Sequence, residues 1–290
     1  ASLFGVDAAK VTIGMLVRMQ SGINDFDVPS FDNPLLTNAS GVHSPLEFIQ
    51  AAASLTPQFV CAPGNCTSYS STNYILAGLV LLGSSDASSW TTVNQATVLP
   101  ASTHFPNSLF LTTGPINGSV GATVAGQSEG FSPSMVEIWG QDASILGWTC
   151  GNLAAPTEEV ARFMYELLVS QTVVSAEAMA AMKAVVPLDV GWAKGTISYG
   201  AGLMIQQTSR HASFPPKLSE WGSYLGHGGD TYGFLSEQGL IPQLNATFSV
   251  IANEDYYLYG SYVKSGLACN LIEMAALEVL GEELDLGCLA

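Results

Sequence analysis

The sequence predicts an α/β protein of the α+β kind: an antiparallel sheet flanked by helices, joined to a mostly helical lobe. Three observations carry this reading. Residues 11–83 repeat apolar side chains at helical spacing, the chain from residue 197 onward alternates as strands do, and residues 259–280 return to apolar positions three and four apart. A chain of 290 residues can bury a sizeable core as one fold of two lobes. We divide it into residues 1–190, a mostly helical lobe with long loops, and 191–290, a sheet lobe with a C-terminal helix.

The elements follow in order. Thr12 and Ser71 stand near helix starts, where a hydroxyl can accept from an otherwise unpaired backbone N–H. The apolar run 74–83 is too short to cross a bilayer and reads as a buried helix. Residues 84–146 are rich in Ser, Thr, Gly and Pro and read as long connections around a site. Residues 156–183 read as helix, with Pro156 near the first turn. Strands are predicted at 197–206, 232–239 and 246–253, as antiparallel neighbours, before the closing helix. There is no internal repeat and no low-complexity segment.

Composition narrows the function classes. Only 8 Lys+Arg stand against 24 Asp+Glu, a formal charge of −16, which argues against nucleic acid or anionic membranes as partners. Charged residues are just 11% of the chain, so this is not the heavily charged surface of a halophile. N-x-S/T sequons at Asn38, Asn65, Asn117 and Asn245 exceed the roughly two expected by chance and point to a secretory route. Cys61 and Cys66 bracket a Pro-Gly turn and could close a short loop, and Cys269 and Cys288 could tie down the last helix. Cys150 is left over, either buried as a small apolar residue or paired with another polypeptide. The four histidines (His43, His104, His211, His227) are scattered, no spacing resembles a zinc site, and no cofactor or metal is implied. No signal peptide or membrane span is read. The expectation is a mature, secreted chain.

The richest stretch chemically is Gly226-His227-Gly228-Gly229-Asp230-Thr231-Tyr232-Gly233-Phe234-Leu235-Ser236. Glycine weakens a strand and marks close approach of a ligand or another backbone. A histidine at the head of such a strand, with backbone amides after it, suits an active-site edge. Two upstream segments extend the pattern: Val11-Thr12-Ile13 through Ser21-Gly22-Ile23, and Ala62-Pro63-Gly64 through Tyr69-Ser70-Ser71. A fourth runs from Gly151-Asn152-Leu153 to Ala161-Arg162-Phe163.

In this order and spacing the segments resemble the serine β-lactamase and penicillin-binding-protein superfamily, in its class C β-lactamase, D-aminopeptidase and esterase branch. The matching patterns there are I-T-I-x-x-L-L-x-x-x-S-G-I, P-G-x-x-x-x-Y-S-N, G-G-L-x-S-T-x-x-D-x-A-R-F and G-H-x-G-x-x-G-F-x-S. The resemblance runs from about residue 11 to about residue 255 and implies a β-lactamase/transpeptidase-like fold. It implies that Tyr69 shuttles a proton between nucleophile and leaving group. Ser71 stands where the family usually has asparagine, trading an amide for one hydroxyl, which fits an esterase, an altered substrate or a decayed site. His227 takes the place of the lysine found in penicillin-recognising members, to orient substrate and polarise the tyrosine. Gly228 and Gly229 would leave room for the acyl group, and the Asp230 N–H would form half of an oxyanion hole.

The family's nucleophile, the serine of S-x-x-K, should lie several dozen residues before Val11, where the 290 residues offer no match. Ser261-Tyr262-Val263-Lys264 is the one S-x-x-K, and it falls in the last helix as a coincidence. The expectation is therefore a two-piece serine hydrolase, this chain plus an N-terminal companion from the same precursor, acting on a small ester, amide or D-amino-acid peptide. The alternative is a pseudoenzyme that binds a protein partner or serves in assembly. A rival motif, Gly126-Gln127-Ser128-Glu129-Gly130, matches the nucleophile elbow of α/β-hydrolases but lacks the parallel βαβ context that motif needs.

Overall fold

The structure, a computed structural model, describes residues 3–99, 104–116, 140–252, 257–258 and 261–288. Its first part is helical. Thr12 caps α1 (Ile13–Val17), its hydroxyl accepting from the Met15 N–H at 3.2 Å. Pro29 opens α2 (Pro29–Thr37), where a missing N–H costs nothing. Ser44 and Glu47 form a reciprocal capping box at the start of α3 (Pro45–Ser54). Ser71 holds the N-cap position of α4 (Thr72–Ser84). Phe26, Phe31 and Phe48 lock these pieces edge to face, with ring centroids 4.9–5.8 Å apart. Beneath them lie Ile75, Ile145 and Trp148, all buried.

A short pair, β1 (Leu109–Phe110) with β2 (Leu153–Ala154), leads to α5 (Thr157–Leu168) and α6 (Ala176–Lys183). The principal sheet then forms from β3 (Val186–Pro187), β4 (Ile197–Tyr199), β5 (Met204–Gln207), β6 (Ser223–Thr231), β7 (Phe234–Ile241) and β8 (Ala246–Ala252). Its order is β3-β4-β5-β6-β7-β8, and every pairing is antiparallel. The two-residue period of a strand splits its side chains between two layers. Leu225 joins Leu203, Ile205 and the α5–α6 residues Met164, Leu167, Leu168 and Met179. Its neighbour Tyr224 joins Ile241, Phe248 and, from α7 (Val263–Leu280), Ala268, Cys269 and Ile272. The sheet is thus sandwiched between helices, as the sequence predicts.

Four boundaries differ from the sequence reading. The helix expected over 156–183 is two helices, broken where Gln171 adopts a φ of +53°. The strand expected over 197–206 is a hairpin, because Gly200-Ala201-Gly202 turns the chain with Gly202 at φ +74°. The glycine-rich segment is the distal half of the long β6, and the turn to β7 comes at Tyr232-Gly233. The last helix begins at Val263, after residues 261–262 pair with 257–258. α5 and α6, which precede residue 190, pack against one face of the sheet.

Cys61–Cys66 and Cys269–Cys288 are disulfides, with Cα atoms 6.2 and 5.5 Å apart, the second tying α7 to the tail. Cys150 is free and packs against the helical core, with burial pushing its thiol pKa up. Asn38, Asn65 and Asn245 are exposed. Asn117 and Ser128 lie outside the described residues.

Candidate active site

The site is built where β6 outruns its neighbour. β5 pairs with Ser223–Gly226, whereas β7 pairs with β6 as far as Thr231. His227 is the first residue beyond β5. Its Nδ1 lies 2.6 Å from the Gly228 carbonyl and its Nε2 3.1 Å from the Tyr199 hydroxyl.

Tyr69 reaches this point from the segment before α4. That segment is tied down on both sides. The Ser68 N–H donates to the Met19 carbonyl at 2.8 Å, and the Thr67 N–H donates to Asp189 at 2.8 Å. Met19 is fully buried with φ +58° and lies beneath Tyr69 in the same cluster. The Tyr69 ring meets Trp192 at 5.1 Å, Tyr199 at 5.8 Å and His227 at 6.2 Å between centroids. Among the described residues nothing hydrogen-bonds its hydroxyl. Tyr69 and His227 therefore meet ring to ring.

Ser71 lies on the same side. Its N–H donates to Asp25 at 2.9 Å, and its hydroxyl makes no capping bond. Asn73, two residues on, turns inward. It is buried and accepts from the Ser21 hydroxyl at 2.6 Å, tying α4 to the turn that follows α1. The space beside Gly228 and Gly229 is filled by the chain itself. A Cβ at Gly228 would come 2.9 Å from the Gln206 amide oxygen, and one at Gly229 would come 2.3 Å from the Ser236 hydroxyl. On the side where a Cβ would stand, those glycines accommodate neighbouring side chains. Asp230 pairs with Leu235 across the hairpin and is exposed.

The electrostatics are dominated by acids that sequence reasoning passed over. Asp25 caps α4 with bonds from Ser71 and Thr72, yet burial raises its pKa to about 6. Asp32 is fully buried, accepts from the Tyr232 hydroxyl, and is raised by burial to about 7. Asp27 is open to solvent but walled in by protein. Burial and the charges of Asp32, Asp25 and Asp230 hold its pKa well above the usual range. Burial, then Asp25, Cys150, Tyr74 and Asp27, pushes the Tyr69 phenol up as well. The signal was present in Asp25-Phe26-Asp27, two acids in a chain with few charges. Tyr199 and Trp192 offered no such cue.

A pH dependence follows. Asp25 and Asp32 hold protons in the folded chain at pH values where the unfolded chain has lost them. Their contribution is present below about pH 4 and is lost as pH rises through about 6 and 7. Stability should therefore rise, by about 1–3 kcal/mol, as pH falls from 7.5 toward 4.5. Asp32→Asn, which keeps an acceptor for Tyr232, should flatten that slope in thermal melts. A melting temperature that drops on mild acidification contradicts this account.

Comparison with known proteins supplies context for this arrangement. A family model described as Beta-lactamase matches residues 3–260. Among solved structures, a D-stereospecific amidohydrolase from a Streptomyces species is similar at 18% identity and TM-score 0.68, covering 85% of this chain and 68% of its own. The D-amino acid amidase of Ochrobactrum anthropi SV3, complexed with L-phenylalanine amide, is similar at 17% identity and TM-score 0.70, covering 95% and 73%. An octameric penicillin-binding protein homologue from Pyrococcus abyssi reaches 21% identity and TM-score 0.63, covering 94% and 56%. No curated protein sequence matches the chain.

Proposed function

The chain belongs to the beta-lactamase family, and from that premise we propose that it is the larger part of a serine hydrolase whose nucleophile comes from a companion S-x-x-K segment outside these 290 residues. The observation that supports this reading best is the state of Tyr69. Its ring is held on three sides, its hydroxyl has no partner among the described residues, and everything that shifts its pKa raises it. A phenol in that setting cannot take a proton near neutral pH. An incoming lysine ammonium reverses the balance, because it lowers the phenol's pKa and is itself welcomed by Asp25 and Asp27. The incompleteness is electrostatic and has the sign a lysine corrects.

In the completed site the companion's serine Oγ attacks the acyl carbon, and its proton passes to the Lys–Tyr69 pair. Tyr69 returns that proton to the leaving group, and water releases the acyl-serine by the reverse relay. The Asp230 N–H and the serine's own N–H hold the oxyanion. Substrates are small esters, amides or D-amino-acid peptides. One of the similar structures is a D-stereospecific amidohydrolase and another a D-amino acid amidase, while Ser71 favours esters. The companion would cover the outer edge of β8 and the exposed apolar residues Leu267, Met274 and Leu277 on α7. Two disulfides and exposed sequons support a secretory route.

Labelling native material with a fluorescent fluorophosphonate, then reducing separation and mass analysis of each band, tests the proposal. The expected result is label on a co-purifying S-x-x-K peptide. Label on this chain at Ser128 or Ser261 would overturn it. Absence of label, with no companion, would leave the pseudoenzyme reading.

A further inference from the structure

We infer that Tyr199 is a positioning residue that holds His227 as its Nδ1–H tautomer, with the lone pair on Nε2. The catalytic consequence rests on the hydrolase reading above, but the tautomer does not. The argument is one of donors and acceptors. The Gly228 carbonyl has no proton to give, so an Nδ1 only 2.6 Å away must carry one. In the neutral ring Nε2 is then an acceptor, and the group set against it is the Tyr199 hydroxyl at 3.1 Å.

The Tyr199 hydroxyl has one proton and, among the described residues, two polar groups within reach. The second is the Tyr74 hydroxyl at 3.5 Å, the outer limit of a hydrogen bond. Tyr74 spends its own proton on the Val17 carbonyl at 3.0 Å, so its oxygen can only accept. The shorter contact draws the Tyr199 proton to Nε2. The chain of donors therefore runs from Tyr199 O–H to Nε2 and from Nδ1–H to the Gly228 carbonyl. Tyr199 is buried, 1% exposed, and burial keeps its phenol protonated and able to donate.

Topology explains how one residue does this. Tyr199 pairs with Met204 across the β4–β5 hairpin, and Met204 pairs with Gly226, the residue before His227. The same tyrosine packs edge-on against both His227 and Tyr69, with interplanar angles of 89° and 75°. It therefore sets the angle between the two site residues. Among the described residues His227 and Tyr69 meet ring to ring, and Tyr199 is a wall that both share.

The test is nitrogen NMR on the histidine-labelled chain, with His227 assigned by His227→Gln. The expected spectrum has a protonated Nδ1 and an unprotonated Nε2. Tyr199→Phe should move the Nε2 resonance toward that of a lone pair with no donor and leave Nδ1 unchanged, while Tyr74→Phe should move neither. An Nε2–H tautomer in the wild type overturns the inference even if Tyr199→Phe does not fold. An unmoved Nε2 in folded Tyr199→Phe overturns it too. In the completed enzyme Tyr199→Phe should lower kcat about tenfold or more with KM unchanged. A hydrolase reading that fails would remove that last arm and leave the spectra standing.

Discussion

Tyr69→Phe is expected to lower kcat of the completed enzyme by about 10²–10⁴-fold, the range for losing a positioned proton-transfer group. The substitution is clean for a structural reason. The ring contacts with Trp192, Tyr199 and His227 survive it, and the deleted hydroxyl has no described partner to strand. Melting temperature and KM should therefore stay close to wild type. The measurement is single-turnover acylation of a chromogenic ester by the two-piece protein, with the wild-type and phenylalanine chains in parallel. A variant that acylates at the wild-type rate removes Tyr69 from the chemistry. A variant that loses both rate and stability would show instead that the hydroxyl is structural.

How much of this site was legible in the sequence depends on the range of the interaction. Tyr69, Ser71 and His227 sit in short segments whose glycines, proline and tyrosine are unusual locally, and the fold brings the first and last of them ring to ring. Strands β7 and β8 announced themselves through alternation, and the disulfide partners through spacing. What escaped notice is long-range. Asp32 meets Tyr232 across 200 positions, and Tyr199 meets His227 across 28 with a hairpin between. Nothing in the residues around Tyr199 marks it, because its role exists only once β4 is laid beside β5.

The breaks had a local cause that periodicity hides. Ser170-Gln171-Thr172 interrupts an otherwise apolar helical pattern, and Gly200-Ala201-Gly202 interrupts a strand pattern. In both cases the period resumes in phase on the far side, so a window longer than the turn averages it away. The rooms beside Gly228 and Gly229 show a related limit. A glycine declares that a Cβ is unwelcome, but only the fold tells whether a ligand or a neighbouring side chain claims the space.

The central glycines give the largest stability effect. Gly226 and Gly239 face each other across β6 and β7. A Cβ at Gly226 would lie 1.9 Å from the Gln238 carbonyl oxygen and 2.6 Å from the Gly239 Cα. Both obstacles are backbone atoms of the partner strand, so no rotamer change relieves them, and the ladder itself must open. Overpacking in a well-filled core costs about 1–3 kcal/mol where side chains can yield. Here they cannot, and Gly226→Ala should cost about 3 kcal/mol or more in urea unfolding. Gly239→Ala should behave similarly, since its Cβ would meet the Leu225 carbonyl and the Tyr224 ring, each at 2.6 Å. Gly83 is the control. It lies in α4, an added methyl there would meet nothing within 4 Å, and Gly83→Ala should stabilise by about 0.5–1 kcal/mol. The opposed signs separate steric exclusion from any general effect of removing glycine. Gly226→Ala within about 1 kcal/mol of wild type would mean that β6 and β7 are not in this register. The placement of His227, one residue beyond, would then have to be reconsidered with it.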